Sequence, residues 1–199
     1  MAGKRKRTNK NRIPLSADSI NEERIIGEAS VGNMYYAWLL VIPTLMEQES
    51  VSRERIQELW DIANDYIEYP QTIGSNVGAV TKEIEAIIGL PVPYPMIDFS
   101  KVRTEGDLDA LKRKLKKNAL HAALCIIALA MKSTKLYSSE DLRRIFFNVD
   151  LTMAEISSGA TSYERLLETV RSYGIELSEG ADDMGLATCE LPFTLCADL

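Results

Sequence analysis

The sequence predicts an all-α protein of six to eight helices in two packed halves. Apolar residues recur at helical spacing, capping patterns precede several of these stretches, and no segment alternates polar and apolar residues as a strand does. Of the 199 residues, 46% are hydrophobic and 26% are charged, which is typical of a globular protein. This composition excludes a collagen-like or largely disordered chain.

The N-terminal half is predicted over residues 15–90. Ser19 and Glu22 have the spacing of a capping box, so a first helix should begin close to them. The following apolar run, Met34 to Met46, contains Pro43, which has no backbone N–H for the helical ladder. Gly27 and Gly32 also weaken the helix that begins near Ile20, so up to Met46 we expect two helical pieces or one kinked helix, largely buried.

Two further helices complete this half. Ser52 should cap the clearest amphipathic helix of the chain, whose apolar residues are Ile56, Leu59, Ile62, Ala63, Tyr66 and Ile67. A shorter helix should follow and end at Gly89. The segment from Gly89 to Pro95 holds three prolines in seven residues, which predicts an extended connector between the two halves.

The C-terminal half is predicted over residues 96–177. Thr104 and Asp107 resemble a capping box, and nothing interrupts a helix from there to about Lys132. Its first half should lie on the surface, with a single stripe formed by Leu108, Leu111 and Leu115. Its second half, Ala119 to Met131, is apolar on nearly every side, so we expect it to be buried all round, at the core.

Two more helices are expected after this one. Ser138 or Ser139 should cap the first, with a break between Asn148 and Gly159. Thr161 and Glu164 should cap the second, which would end at Gly174. Residues 178–199 should form an acidic loop and an apolar tail.

Charge is unevenly distributed along the chain. The net charge is -6, yet residues 1–12 hold six cations and no acid, which leaves 17 cations against 29 acids in the remainder. Segment 1–14 has almost nothing apolar to bury, so we expect a disordered basic arm. Such an arm could bind a nucleic-acid backbone, bind an acidic protein surface, or only increase the solubility of the protein. Its candidate contact residues are Lys4, Arg5, Lys6, Arg7, Lys10 and Arg12.

A second basic cluster lies on the predicted long helix. Five of six consecutive residues are cations, namely Lys112, Arg113, Lys114, Lys116 and Lys117. Surface helices often carry such residues only to remain soluble. If this cluster and the arm face the same way, they would form one positive groove on an otherwise negative body. We therefore take both as candidate sites for nucleic acid or another polyanion.

Motifs for cofactors and catalysis are missing from the sequence. A single His makes paired-His metal motifs impossible, and Cys189 and Cys196 are too far apart for the close pairs of a structural zinc site. Neither a Gly-x-Gly sequence nor a Gly-Lys-Ser/Thr sequence occurs, so a nucleotide cradle is not expected. We expect no metal, no cofactor and no enzymatic activity.

Two residue sets nevertheless have a spacing that chemistry could use. His121 and Cys125 are four residues apart on one predicted helix, where an imidazole could take a thiol proton, but their apolar surroundings favour two packed core residues. Asp61, Asp65 and Glu68 share one helical face, as some metal-dependent enzymes require, although a solvated face is commoner. An enzyme with an acidic metal site is thus one alternative.

A helix-turn-helix DNA-binding regulator is the other alternative. Residues 152–156 resemble the start of the first helix of such a motif, and residues 161–167 would follow a turn and begin the recognition helix. The whole motif would occupy residues 152–173. That second helix carries Glu164, Arg165, Glu168 and Arg171. The two acids oppose entry into a groove lined with phosphates.

The sequence thus predicts a non-enzymatic intracellular binding or assembly protein. The odd number of cysteines favours a reducing compartment. We expect this compartment to be the cytoplasm, or the nucleus if the host is eukaryotic. A basic arm on a compact helical body is also typical of accessory proteins of phages and mobile elements. The apolar runs are too short to cross a membrane. The segment with Tyr35, Tyr36 and Trp38 fits a core, which we favour, or the interface of a homo-oligomer.

Overall fold

The computed structural model describes residues 21, 22, 24–26, 32–68, 77–89 and 98–177. Across these residues the regular elements are helices: α1 (Asn33–Gln48), α2 (Arg53–Glu68), α3 (Val77–Ile88), α4 (Glu105–Ser133), α5 (Ser139–Ser158) and α6 (Tyr163–Ser172), with a 3-10 turn at Phe99–Lys101. The all-α prediction is confirmed. The predicted arm (1–14), most of the connector and the predicted tail (178–199) lie outside the described residues.

Helix α1 lies at the centre of the bundle and packs against α4, α5 and α6. Seven of its apolar residues are at most 1% exposed: Ala37, Trp38, Leu39, Leu40, Val41, Ile42 and Leu45. Helix α1 begins after Gly32 and runs without a break through Pro43, so the proline does not divide it. Contacts on several sides compensate for the hydrogen bond that a proline removes from a helix interior.

Capping boxes begin the two longest helices, one at the predicted pair Thr104 and Asp107 and one at Ser138, where a simple cap was predicted. At α4, the Asp107 N–H donates to Thr104 Oγ1 over 3.2 Å, and the Thr104 N–H donates to Asp107 Oδ2 over 2.9 Å. At α5, Ser138 and Asp141 make the same reciprocal pair, at 3.1 and 2.9 Å. Each box satisfies backbone N–H groups that a helix start leaves without a partner.

Of the other predicted caps, Ser52 is confirmed, Ser19 is not tested and Thr161 is wrong by one residue. Ser52 caps α2 as expected, through a 3.3 Å hydrogen bond from the Arg55 N–H. Asn21 Oδ1 accepts from the Arg24 N–H at 2.9 Å, whereas Ser19 lies outside the described residues. Ser162, not Thr161, caps α6, because Ser162 has the extended backbone that an N-cap needs (φ -146°, ψ 164°).

Helix α5 is continuous, so the break predicted between Asn148 and Gly159 is wrong. The helix stops only at Gly159, whose φ of 78° lies in the left-handed region that glycine adopts without strain. Its N–H donates to the carbonyls of Glu155 and Ile156, which closes the last turn. No proline or glycine interrupts the ladder before that point.

The main core draws residues from both sides of the predicted connector. It joins Trp38 of α1 and Trp60 of α2, whose ring centroids are 5.2 Å apart, with Ile145 and Phe146 of α5. Within the described residues, Trp38 Nε1 is buried without a hydrogen-bond partner. The tryptophans and the C-terminal helices therefore share one packed interior. Tyr35 and Trp38 belong to it, as expected for a core segment.

Two predicted apolar faces need correction. In α2, Trp60 is buried, whereas Ile67 is 39% exposed near the end of the helix. In α4, residues 119–131 are at the core as expected, but Ala122 is exposed, so this half is not buried all round. Helix α4 packs against α1, α2, α3 and α5. These helices do not cover the side of α4 that carries Ala122.

Candidate functional site

The N-terminal half of α4 presents the predicted basic cluster to solvent. Arg113, Lys114, Lys116 and Lys117 are exposed, and Lys112 is half-buried. The leucine stripe of the same turns is covered: Leu111 is buried with Ile25 and Val102 in a second, smaller core cluster, against which Leu108 and Leu115 pack. The apolar side of this helix is thus anchored while its basic side faces water.

Helical geometry spreads these cations over a broad surface. At 3.6 residues per turn, the five positions span about 200° of the circumference, centred opposite the leucine stripe. The acids of α4 (Glu105, Asp107 and Asp109) all precede Lys112, and none follows up to Ser133. Positive charge is therefore concentrated in the two turns that begin at Lys112.

The arm residues that were expected to join this surface lie outside the described residues: Lys4, Arg5, Lys6, Arg7, Lys10 and Arg12. Their convergence with α4 stays a prediction. The described residue closest to the arm in sequence is Asn21, which caps the short helical segment that carries Ile25. Ile25 in turn packs under the basic half of α4.

A buried polar cluster lies where α3 packs against α4. Glu85 comes from α3, and His121 and Cys125 lie one turn apart on α4. His121 Nε2 is 3.2 Å from Glu85 Oε1, and the nitrogen, oxygen and sulfur ligand atoms of the three residues all lie within 4.8 Å of one another. His121 and Cys125 are 9% and 6% exposed. Both are packed core residues, as their apolar surroundings favoured.

The cluster is poorly suited to nucleophilic catalysis. Burial, followed by the charge of Glu85, raises the pKa of the Cys125 thiol to about 12. Only the thiolate is a good nucleophile, and reactive cysteines have a lowered pKa in an electropositive, accessible setting. The spacing of His121 and Cys125 was visible in the sequence. Glu85 was missed, because it is 36 residues away from His121 on another helix and no local pattern links them.

The acidic face of α2 lacks, among the described residues, the neighbours that would complete a metal site. Asp61, Asp65 and Glu68 are all exposed, and Asp61 Oδ1 accepts a 2.8 Å hydrogen bond from Gln57 Nε2. Among the described residues, the only group of three or more potential ligands close enough to hold an ion is Glu85, His121 and Cys125. The α2 carboxylates therefore form a solvated helix face.

The predicted helix-turn-helix segment consists of the end of α5, a short turn and α6. Helix α6 packs against α1 through Leu166 and Val170, which are 9% and 0% exposed. Its solvent side carries two acids and two cations, Glu164, Arg165, Glu168 and Arg171. The exposed face of α6 thus has no net positive charge, in contrast to α4.

Comparison with protein families, with curated proteins and with solved structures finds no match to this chain. Among the described helices, none is long and apolar enough to span a bilayer.

Proposed function

We propose that the protein binds the phosphate backbone of nucleic acid without catalysis, through the basic half of α4 together with the basic arm. The observation that carries this proposal is that five cations in six positions cover the solvent side of α4 while its leucine side is anchored. Lysine and arginine side chains on such a face can neutralise phosphates and release condensed counterions. The helix also gives these contacts a fixed spacing.

Charge elsewhere on the protein would confine the interaction to this surface. Residues outside 1–12 hold 17 cations against 29 acids, so most of the protein repels a polyanion. Contacts to phosphate alone carry no base information, so the proposal predicts binding with little sequence preference. The cytoplasmic location expected from the cysteines is part of the same proposal.

Binding to a short DNA duplex at low salt tests the proposal, with fluorescence anisotropy as the readout. The helix variant replaces the four exposed cations with glutamine, which keeps helix propensity: Arg113→Gln, Lys114→Gln, Lys116→Gln and Lys117→Gln. The matched control removes the same charge from exposed cations elsewhere: Lys82→Gln, Lys101→Gln, Lys135→Gln and Arg143→Gln. A third variant replaces the six arm cations with glutamine.

The helix variant should bind at least about tenfold more weakly than the control variant, because it loses phosphate contacts in addition to net charge. The arm variant should also bind more weakly. Equal weakening of the helix and control variants would show that only net charge matters. No binding of the intact protein to duplex or single-stranded nucleic acid at low salt would refute the proposal.

Two other outcomes would favour the competing interpretations. Sequence-specific binding that survives in the helix variant and is lost in Arg165→Gln would support a helix-turn-helix regulator instead. Binding to an acidic polypeptide such as polyglutamate, with none to nucleic acid, would favour an acidic protein partner.

A further inference from the structure

We infer that Glu85, His121 and Cys125 form a binding site for a divalent transition metal of the zinc type. The three side chains offer oxygen, nitrogen and sulfur ligands, the set that zinc takes in proteins. Three protein ligands leave a fourth tetrahedral position for water or an external ligand. This inference is independent of the basic surface, since none of the three residues belongs to it.

The separations between ligand atoms are close to those of a tetrahedral site. With metal–sulfur bonds of about 2.3 Å and metal–nitrogen or metal–oxygen bonds of about 2.0 Å, neighbouring ligand atoms lie about 3.3–3.6 Å apart. His121 Nε2 and Glu85 Oε1 are already 3.2 Å apart. The remaining separations, at most 4.8 Å, need to close by about 1 Å, which side-chain rotation can supply.

Two packed helices carry the three ligands. His121 and Cys125 are four residues apart, so both project from the same face of α4. Glu85 is supplied by α3, which packs against α4, and an ion pair between Glu83 and Lys132 joins the same two helices. Sites on packed helices are more accurately positioned than sites on loops.

Access and charge also suit a cation. The Glu85 side chain is 27% exposed, which leaves a route from solvent, while His121 is 9% exposed. On binding, the Cys125 thiol releases its proton to solvent, and the proton that His121 Nε2 shares with Glu85 passes to His121 Nδ1 or to solvent. The Nε2 lone pair and the Glu85 carboxylate then each bind the metal in place of their hydrogen bond. The thiolate and the carboxylate then balance the two charges of the metal, and no oxidation state changes.

Cobalt(II) provides a spectroscopic test, because it replaces zinc and shows a thiolate charge-transfer band together with intense visible bands in a tetrahedral site. The chain is used in a Cys189→Ser/Cys196→Ser background, so that Cys125 is its one cysteine. The site variants are Cys125→Ser and Glu85→Gln. The control is Glu83→Gln, on the same helix with its partner on α4.

We expect one equivalent of Co²⁺ to give both sets of bands in the background protein and in the control. The charge-transfer band should vanish in Cys125→Ser. In Glu85→Gln, the affinity for Co²⁺ should fall further than the loss of about 10–100-fold that is typical when a group that only hydrogen-bonds to a metal ligand is removed. Zn²⁺ should displace Co²⁺ and raise Tm only where Co²⁺ binds. Circular dichroism of each variant confirms that the helices are intact.

Three results would overturn the inference. One is the absence of bands in the background protein at a severalfold excess of Co²⁺. Another is a charge-transfer band that appears only when Cys189 and Cys196 are present, which would place the metal at those residues. The third is an equal loss of affinity in Glu83→Gln and Glu85→Gln, which would indicate a general effect of surface charge.

Discussion

Replacing Ile145 with alanine tests whether both halves of the chain share one core. Ile145 is 0% exposed on α5, in the C-terminal half. Alanine removes three buried carbon atoms, worth about 2.4 kcal/mol at about 0.8 kcal/mol each. The residual cavity raises the expected loss in the free energy of unfolding to about 3–4 kcal/mol, inside the range of about 2–5 kcal/mol for such changes.

Urea unfolding followed by tryptophan fluorescence is the assay, because the two tryptophans report on the other half of the chain. Trp38 and Trp60 lie in α1 and α2 and are 0% and 2% exposed. In one cooperative unit, fluorescence and far-ultraviolet circular dichroism should show the same shifted midpoint. With a denaturant dependence of about 2–3 kcal/mol per molar urea, the midpoint should fall by about 1 M or more.

The matched control is Leu136→Ala. This side chain is 64% exposed, so its loss should change the free energy of unfolding by no more than about 0.5 kcal/mol. A fluorescence midpoint that stays at its original value in Ile145→Ala, while the circular dichroism midpoint falls, would refute the reasoning. The two halves would then unfold separately.

Three further predictions concern local chemistry. Thr104→Ala and Ser138→Ala should each cost about 1 kcal/mol in urea unfolding, because each removes a capping oxygen. Hydrogen bonds from Thr104 and Ser138 lower the pKa of Asp107 and Asp141 below the usual 3.8. The two carboxylates should therefore contribute their full stabilisation above pH 3.8 and lose it as the pH falls through their lowered pKa values. In the double variant Asp107→Asn/Asp141→Asn, the urea midpoint should consequently fall less steeply as the solution is acidified. Because its pKa is raised to about 12, the Cys125 thiol should resist iodoacetamide at pH 8 in the native protein and react after the protein is unfolded. Peptide mass spectrometry measures the alkylation of Cys125. Rapid alkylation of the native protein would contradict the prediction.

Helix starts could be predicted from the sequence because a cap is a local interaction. Ser52, Thr104 and Ser138 each accept from a backbone N–H three residues ahead, so the residue types and their spacing contain the information. The basic half of α4 was found in the same way, since five cations and three leucines on one helix define its two sides. These features require no knowledge of distant residues.

Features that depend on distant helices could not be predicted in this way. Pro43 left open an interruption or a kink, and a continuous α1 packed on α4, α5 and α6 runs through it. Ala122 is exposed only because no described neighbour of α4 covers that strip. Glu85 joins His121 and Cys125 through the packing of α3 on α4, which no spacing along the chain encodes.

The salt dependence of duplex DNA binding tests the central claim most directly. For phosphate contacts, the logarithm of the binding constant falls with the logarithm of the salt concentration, with a slope of about -0.9 per phosphate neutralised. Replacing Arg113, Lys114, Lys116 and Lys117 with glutamine should reduce the magnitude of that slope by up to about 3.6, while the control quadruple variant leaves it nearly unchanged. An identical slope in the intact protein and the helix variant would contradict a binding role for α4.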